Sequence, residues 1–262
     1  MPPLTEEDAA ALHRASSLLW NPLGEAYVAL VAPAPGDRVL DACCGAGASA
    51  IPAARAVGAS GAVDAVDLAP GPAELGRRRA AAERLGRLRF HVADVTAWPD
   101  PEPYDVLLCG YGIFFMPDMD ASARRLAGRL RPGGRFSVAT WAEGALESFG
   151  ARLARAVETE RPLESADPPA RRAARRIGTE DALGAWARGL RLRDVRTHRI
   201  VRHVPLSPGD AWDLVLGSGF RGMLHSLDAP AADRVRARFL DMLDADGIDD
   251  LDATSLVAVG TA

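Results

Sequence analysis

The residues best suited to chemistry lie in the stretch 39–53, which reads VLDACCGAGASAIPA. Val39 and Leu40 close an apolar run and Asp41 follows. Cys43, Cys44, Gly45, Ala46 and Gly47 then precede an Ala-rich helical pattern. The order is strand, small-residue turn, helix. Small residues let backbone approach a ligand closely, and a helix start offers unpaired N–H groups. A loop built for a pyrophosphate does not usually place an anion at the end of its strand. Asp41 instead suits a ligand with a positive charge or with hydroxyl and amine donors.

The elements that must position these residues alternate along the chain. Helices are expected over 5–19 and 23–32, with Thr5 and Asp8 approximating a capping box and Asn21-Pro22 breaking the pattern. Strands are expected over 38–42, 62–68, 87–95, 104–112 and 135–141, with helices over 47–57, 71–86 and 116–130, and turns at 99–103 and 131–134. Such alternation implies a doubly wound, mostly parallel α/β sheet with ligands at the carboxyl ends of its strands. Beyond residue 141 the pattern loosens. Helices are expected over 145–158, 179–189 and much of 207–245, and 161–169 reads as a loop. The charge run 170–176 reads as a solvated helix face. Residues 191–205 and 252–261 read as two final strands forming an antiparallel pair. The expected organisation is one domain over 1–262. It comprises an N-terminal helical lid (1–35), a binding core (36–141) and cap segments (142–190 and 206–250).

Composition narrows the function classes. The chain has 262 residues, 48% hydrophobic and 25% charged, which suits a globular protein with a sizeable core. The net charge of −4 argues against nucleic acid as a partner. All 31 basic residues are arginine, so Schiff-base chemistry and a lysine base are excluded. Three cysteines, Cys43, Cys44 and Cys109, make no disulfide framework and point to a reducing cytoplasm. They have no histidine at ligand spacing, so no metal site is expected. Neither a signal-peptide pattern nor an apolar run of about 18 residues is present, and no membrane association is expected.

In order and spacing, VLDACCGAG, AVDAVDL, FHVADV, YDVLLCGYG and LRPGGRFSVATW resemble the class I S-adenosylmethionine-dependent methyltransferases over residues 36–141. One departure is visible, because Cys43 stands where that family usually has a glycine. The resemblance implies a seven-stranded sheet with an antiparallel strand near its end, and S-adenosylmethionine as cofactor. The acceptor would be a small molecule methylated at O, N or C, such as a secondary metabolite, and the protein a monomer or homodimer. Carried onto this chain, Asp41 holds the amino-acid end of the cofactor, and Cys43, Gly45 and Gly47 line the turn beneath it. Asp67 takes the ribose hydroxyls with Leu68 beside it, or else caps a helix. Asp94 accepts from the adenine amine with Val95 against the ring, or else serves a turn. Trp98 walls the adenine or packs the surface. Trp20 and Asn21 resemble lid residues. Cys109 and Tyr111 leave strand four beside the reactive methyl, Cys109 as a packed small residue rather than a nucleophile.

If the acceptor is a phenol or alcohol, a base helps. Of the five histidines, His91 lies inside strand three, His13 in the first helix, and His198 and His203 on strand six. His225, in GSGFRGMLHSL, is the preferred catalytic base, and Tyr111 the second candidate. Arg221 either binds an acidic substrate or faces solvent. The alternatives are a relative on the same fold that catalyses a cyclisation, an NAD-dependent oxidoreductase and a non-catalytic binding protein. The oxidoreductase is disfavoured because Asp41 precedes the glycines and the third glycine of GxGxxG is missing.

Overall fold

The computed structural model describes residues 6–99, 102–163 and 167–262. Thr5, expected to cap the first helix, lies outside the described residues, as do parts of the turn at 99–103 and the loop at 161–169. The chain opens with α1 (Glu6–Ala15), and no break follows at Asn21-Pro22. A π-helical turn, Ser16–Trp20, carries the backbone into α2 (Asn21–Val31), and the N–H of Asn21 reaches back to the carbonyl of Ser16. The wider turn accommodates Pro22, which has no N–H and a bulky ring, at the first turn of α2.

The core then builds strand by strand: β1 (Arg38–Ala42), α3 (Ala50–Val57), β2 (Ala62–Asp67), α4 (Pro70–Ala82), β3 (Leu88–Val92), β4 (Tyr104–Gly110), α5 (Met119–Ala127) and β5 (Leu130–Trp141). The residues expected to turn at 131–134 are instead taken into β5. The register against β4 jumps from Tyr104↔Leu130 to Val106↔Arg135, so the extra residues bulge, with Gly133 at φ +81°. The helix expected from residue 47 starts only at Ala50, because 43–49 form the loop itself.

The remainder comprises α6 (Glu147–Glu158), α7 (Pro169–Arg176), α8 (Glu180–Gly189), β6 (Arg193–Ile200), β7 (His203–Pro205), α9 (Pro208–Leu216), α10 (Ala229–Ala245), β8 (Asp250–Asp252) and β9 (Ser255–Thr261). The single strand expected over 191–205 is two. β6 stays in the main sheet, while β7 leaves it to pair with β8, which takes Asp252 away from the final strand. α7 buries none of its residues, in keeping with its charge run.

The main sheet has the order β3-β2-β1-β4-β5-β9-β6, parallel except for β9, which runs antiparallel to both neighbours. Alternate residues of β4 feed opposite faces. Val106 and Leu108 join the layer under α2 and α3, and Leu107 and Cys109 join the layer under α5 and α8. A third cluster, including Leu19, Leu23, Phe149, Trp212 and Phe239, holds the terminal helices together away from the sheet. There α1 lies on α9, clamped by the Arg14–Asp213 ion pair. No helix among the described residues is long and apolar enough to cross a membrane. The strand order reverses between β1 and β4, and the loops leaving those two strands open a crevice there.

Candidate active site

Asp41 ends β1 fully buried. Its Oδ2 accepts from the Ser49 hydroxyl at 2.7 Å, while Oδ1 has no partner. Burial pushes its carboxyl up to about 7, and the Ser49 hydrogen bond works against that rise. After β1 the backbone enters the left-handed region at Cys43 (φ +60°), Gly45 (+52°) and Gly47 (+81°). Glycine adopts this at little cost, but a cysteine there costs on the order of 1–2 kcal/mol. Its side chain is lodged against Gly112, where any Cβ would come within 2.3 Å of the Cys43 Cβ. A Cβ at Gly45 would meet nothing within 4 Å, so this part of the loop presents bare backbone to open space. Gly47 instead backs onto the Phe90 ring.

Asp67, at the end of β2, fastens this loop. Its Oδ2 accepts from the Gly45 N–H and its Oδ1 from the Ala69 N–H ahead of α4, both at 2.8 Å. The helix-capping role and a place on the crevice wall therefore coexist, because an ionised carboxylate has about four acceptor positions and these bonds occupy two.

On the opposite wall Tyr111 follows β4, also left-handed (φ +57°). Its hydroxyl donates to the Ser255 Oγ at 2.9 Å, and burial pushes the phenol above its ordinary range. Its ring packs with Trp20 and Trp141 at centroid distances of 5.6 and 4.4 Å. The Trp20 indole N–H donates to the Gly217 carbonyl at 3.0 Å, tying the π turn to the end of α9. Beneath, the Tyr27 hydroxyl takes the Cys109 N–H at 3.1 Å and donates to the Ser137 carbonyl at 2.9 Å. Contact with Cys43 and burial push the Cys109 thiol up, and burial does the same to Cys44, so both stay protonated.

The crevice has two lobes that share Cys43 and Phe115. One, of about 320 Å³, is walled by Trp20, Gly45, Ser49, Tyr111, Leu216 and Arg221, among others. The other, of about 410 Å³, runs past Asp67, Leu68, Asp94 and Val95. Asp94 is exposed, and its Oδ1 accepts from the Thr96 N–H at 2.8 Å and the Thr96 hydroxyl at 2.7 Å; this holds its carboxyl below the usual range. The turn role is thus filled and the residue still lines the lobe.

Several expected residues lie elsewhere. His225 is exposed at the end of the 3₁₀ turn Gly219–Leu224 and lines neither lobe; the turn projects Arg221 inward and carries His225 past the wall. Trp98 also lines neither lobe, because its ring packs on His91 at 4.4 Å and its N–H donates to the Tyr104 hydroxyl. Asn21 accepts from Arg79 instead of covering the crevice. Cys109 lies buried below Cys43, and Gly47 below the loop. Ser49 and Phe115 are among the wall residues that escaped the sequence reading. Ser49 gave no signal beyond being small and polar. Phe115, 63% exposed in the segment after β4, could have been suspected from the unpaired Phe114-Phe115 doublet. Among the described residues, no group of three or more His, Cys, Asp or Glu is placed to hold a metal.

Comparison with known proteins follows the same outline. A family model described as a methyltransferase domain matches residues 39–134. Aklanonic acid methyltransferase DauC of Streptomyces sp. (strain C5) is 32% identical over 133 residues, which is 50% of this chain and 60% of DauC. An uncharacterized protein of Mycobacterium tuberculosis (strain ATCC 25618 / H37Rv) is 33% identical over 202 residues, 72% of this chain and 71% of its own length. Among solved structures, the YcgJ protein of Bacillus subtilis superposes with a TM-score of 0.58 at 17% identity, covering 91% of this chain and 97% of YcgJ, a likeness of fold.

Proposed function

Because the chain belongs to the class I S-adenosylmethionine-dependent methyltransferases, we propose that it transfers a methyl group from S-adenosylmethionine to O, N or C of a small molecule. The name of the relative DauC, an aklanonic acid methyltransferase, supports a small organic acceptor. The observation that carries the reading is the meeting of the two lobes at Cys43, outside the carboxyl ends of β1 and β4.

The residues present fit the cofactor. Asp41 has a buried oxygen without a partner, and Ser49 gives it the hydroxyl proton. Ser49 therefore faces the lobe as an acceptor, suited to an ammonium group, and Asp41 balances that charge from behind. The bare backbone at Gly45 and the small Cys43 side chain leave room for the amino-acid end, with Gly47 supporting the loop. Asp67 receives the ribose hydroxyls on its remaining lone pairs. Leu68 (72% exposed) and Val95 offer apolar surface to the adenine, and Asp94 accepts from its amine. Trp20 closes the lobe from the lid, and Cys109 and Tyr111 back the reacting side. When bound, the cofactor supplies an electrophilic methyl on a sulfonium. The chain holds the two reactants in line and keeps water out with its aromatic wall; such positioning is worth roughly 7–11 kcal/mol.

Titration calorimetry is expected to show micromolar binding of S-adenosylhomocysteine and none of NAD. With an acceptor in hand, chromatography is expected to show one S-adenosylhomocysteine formed per methylated product. Heat with NAD alone, or product formed with the sulfonium recovered intact, overturns the reading.

A further inference from the structure

The lobe that contains Tyr111 has a wall whose charge is one-sided. Of the residues lining it, Arg221 alone carries a formal charge, and neither Asp, Glu, His nor Lys is among them. Two phenols line it, and both hydroxyls are committed, Tyr111 to Ser255 and Tyr27 to the Ser137 carbonyl. Asp41, the nearest buried carboxyl, stands behind Ser49 and holds the Ser49 proton. His225 is outside. A phenol or alcohol entering this lobe finds no side chain placed to remove its proton, whereas a group already ionised at neutral pH needs none. Apart from Ser16, Ser49 and Ser218, the remaining wall is largely apolar and partly aromatic, with Leu12, Trp20, Phe115 and Leu216.

Resting on the methyltransferase reading, we infer that the acceptor is a carboxylate on a hydrophobic, flat body, drawn in by Arg221 and converted to its methyl ester. The guanidinium is permanently charged and matches a carboxylate with two parallel N–H donors. Arg221 also has contacts of its own within the protein, and its five donors allow both. In the transfer a carboxylate oxygen lone pair forms the new O–CH₃ bond, and the C–S bond breaks with its electron pair passing to sulfur. Anion and sulfonium cation become neutral ester and neutral thioether, and no proton is released. A phenol acceptor would release one.

The test uses three probes on one ring system, 1-naphthoate, 1-naphthol and 1-naphthylamine, titrated into the protein saturated with S-adenosylhomocysteine. The naphthoate is expected to bind at least tenfold tighter than the other two. Arg221→Gln is expected to bring that ratio close to one while S-adenosylhomocysteine binding stays unchanged, and Arg221→Lys to restore part of it. With labelled S-adenosylmethionine, label is expected in a base-labile naphthoate ester with no net proton release. Equal or weaker binding of the naphthoate, no binding of any probe, a preference that survives Arg221→Gln, or a methyl ether formed with proton release each overturns the carboxylate assignment. Failure of the wild-type protein to bind S-adenosylhomocysteine overturns the cofactor reading as well; normal binding of it alongside any of those four results overturns the acceptor alone.

Discussion

The two lobes of the crevice are made in different ways. The lobe with Asp67, Leu68, Asp94 and Val95 is built from strand ends, the segments that follow them and one side of α5. Its polar groups answer first to the backbone, Asp67 to Gly45 and Ala69, and Asp94 to Thr96. The lobe with Tyr111 is assembled from pieces far apart in the chain: α1 and the π turn, the loop after β1, and the end of α9 with the turn after it. It exists only because α1 lies on α9 and Trp20 reaches Gly217. Local connectivity thus makes the polar lobe a property of the sheet, while long-range packing makes the apolar lobe adjustable without disturbing the sheet.

The sharpest way to break this contrast is at Gly24, where the lid touches the loop. Any Cβ at Gly24 would stand 2.0 Å from the Ala48 carbonyl oxygen. Gly24→Ala is expected to cost about 3 kcal/mol by overpacking against backbone, read as a melting shift of about 6–12 °C. Both lobes are expected to suffer, because α2 is pushed off the shared loop.

Asp67→Ala acts on the polar lobe first and, through the lost Gly45 bond, on the loop beside the other. Loss of a carboxylate that holds two backbone donors is expected to weaken S-adenosylhomocysteine by about 1–3 kcal/mol in calorimetry. Asp94→Ala, at an exposed turn, is expected to cost less than 1 kcal/mol. Equal effects would mean that the two strand ends do not divide the work as their hydrogen bonds suggest.

Asp41 links the lobes through pH. Its folded pKa of about 7 lies above the ordinary carboxyl value, so the folded protein binds the extra proton between about pH 4 and 7. The stability of the unliganded protein therefore falls as pH rises through that window. Cofactor binding has the opposite sign, since an ammonium group favours the ionised carboxyl. S-adenosylhomocysteine affinity is expected to weaken up to about tenfold per unit as pH drops from 7 towards 6, and Asp41→Asn to flatten the profile. A flat wild-type profile would place the ammonium elsewhere.

The smallest effects are expected at the two residues first considered as bases. Tyr111→Phe loses the Ser255 bond and is expected to lower turnover less than tenfold, where loss of a working base costs about 10²–10⁴. His225→Ala is expected to leave rate and affinity unchanged.

Asp67, Leu68, Asp94 and Val95 were legible in the chain because they lie at or just beyond strand ends, and apolar runs mark strand ends. The parallel core and the antiparallel β9 were legible for the same reason. The apolar lobe was not. Nothing in the period of residues 5–19 shows that this helix lies against 208–216, and a pairing made by Arg14 and Asp213, so far apart in sequence, leaves no local trace. His225 was favoured because it sits in the right segment, but one 3₁₀ turn decides that Arg221 faces in and His225 out. Cys43 departed from the expected glycine, and its neighbour Gly112 shows how the departure is absorbed.

The π turn has one more consequence, for length variation. A π turn is an α-helix with one residue too many. Deleting a single residue within Ser16–Trp20 would let the backbone run on as an ordinary helix into α2, without a loop to repair. Because each helical residue advances about 100° and 1.5 Å, everything upstream would turn by that amount relative to α2. Leu12 would swing away from the crevice, and the Arg14–Asp213 clamp would come apart. One codon's worth of chain thus serves as a rotary setting for the roof, and homologues that gain or lose it are expected to differ in acceptor while keeping the same sheet.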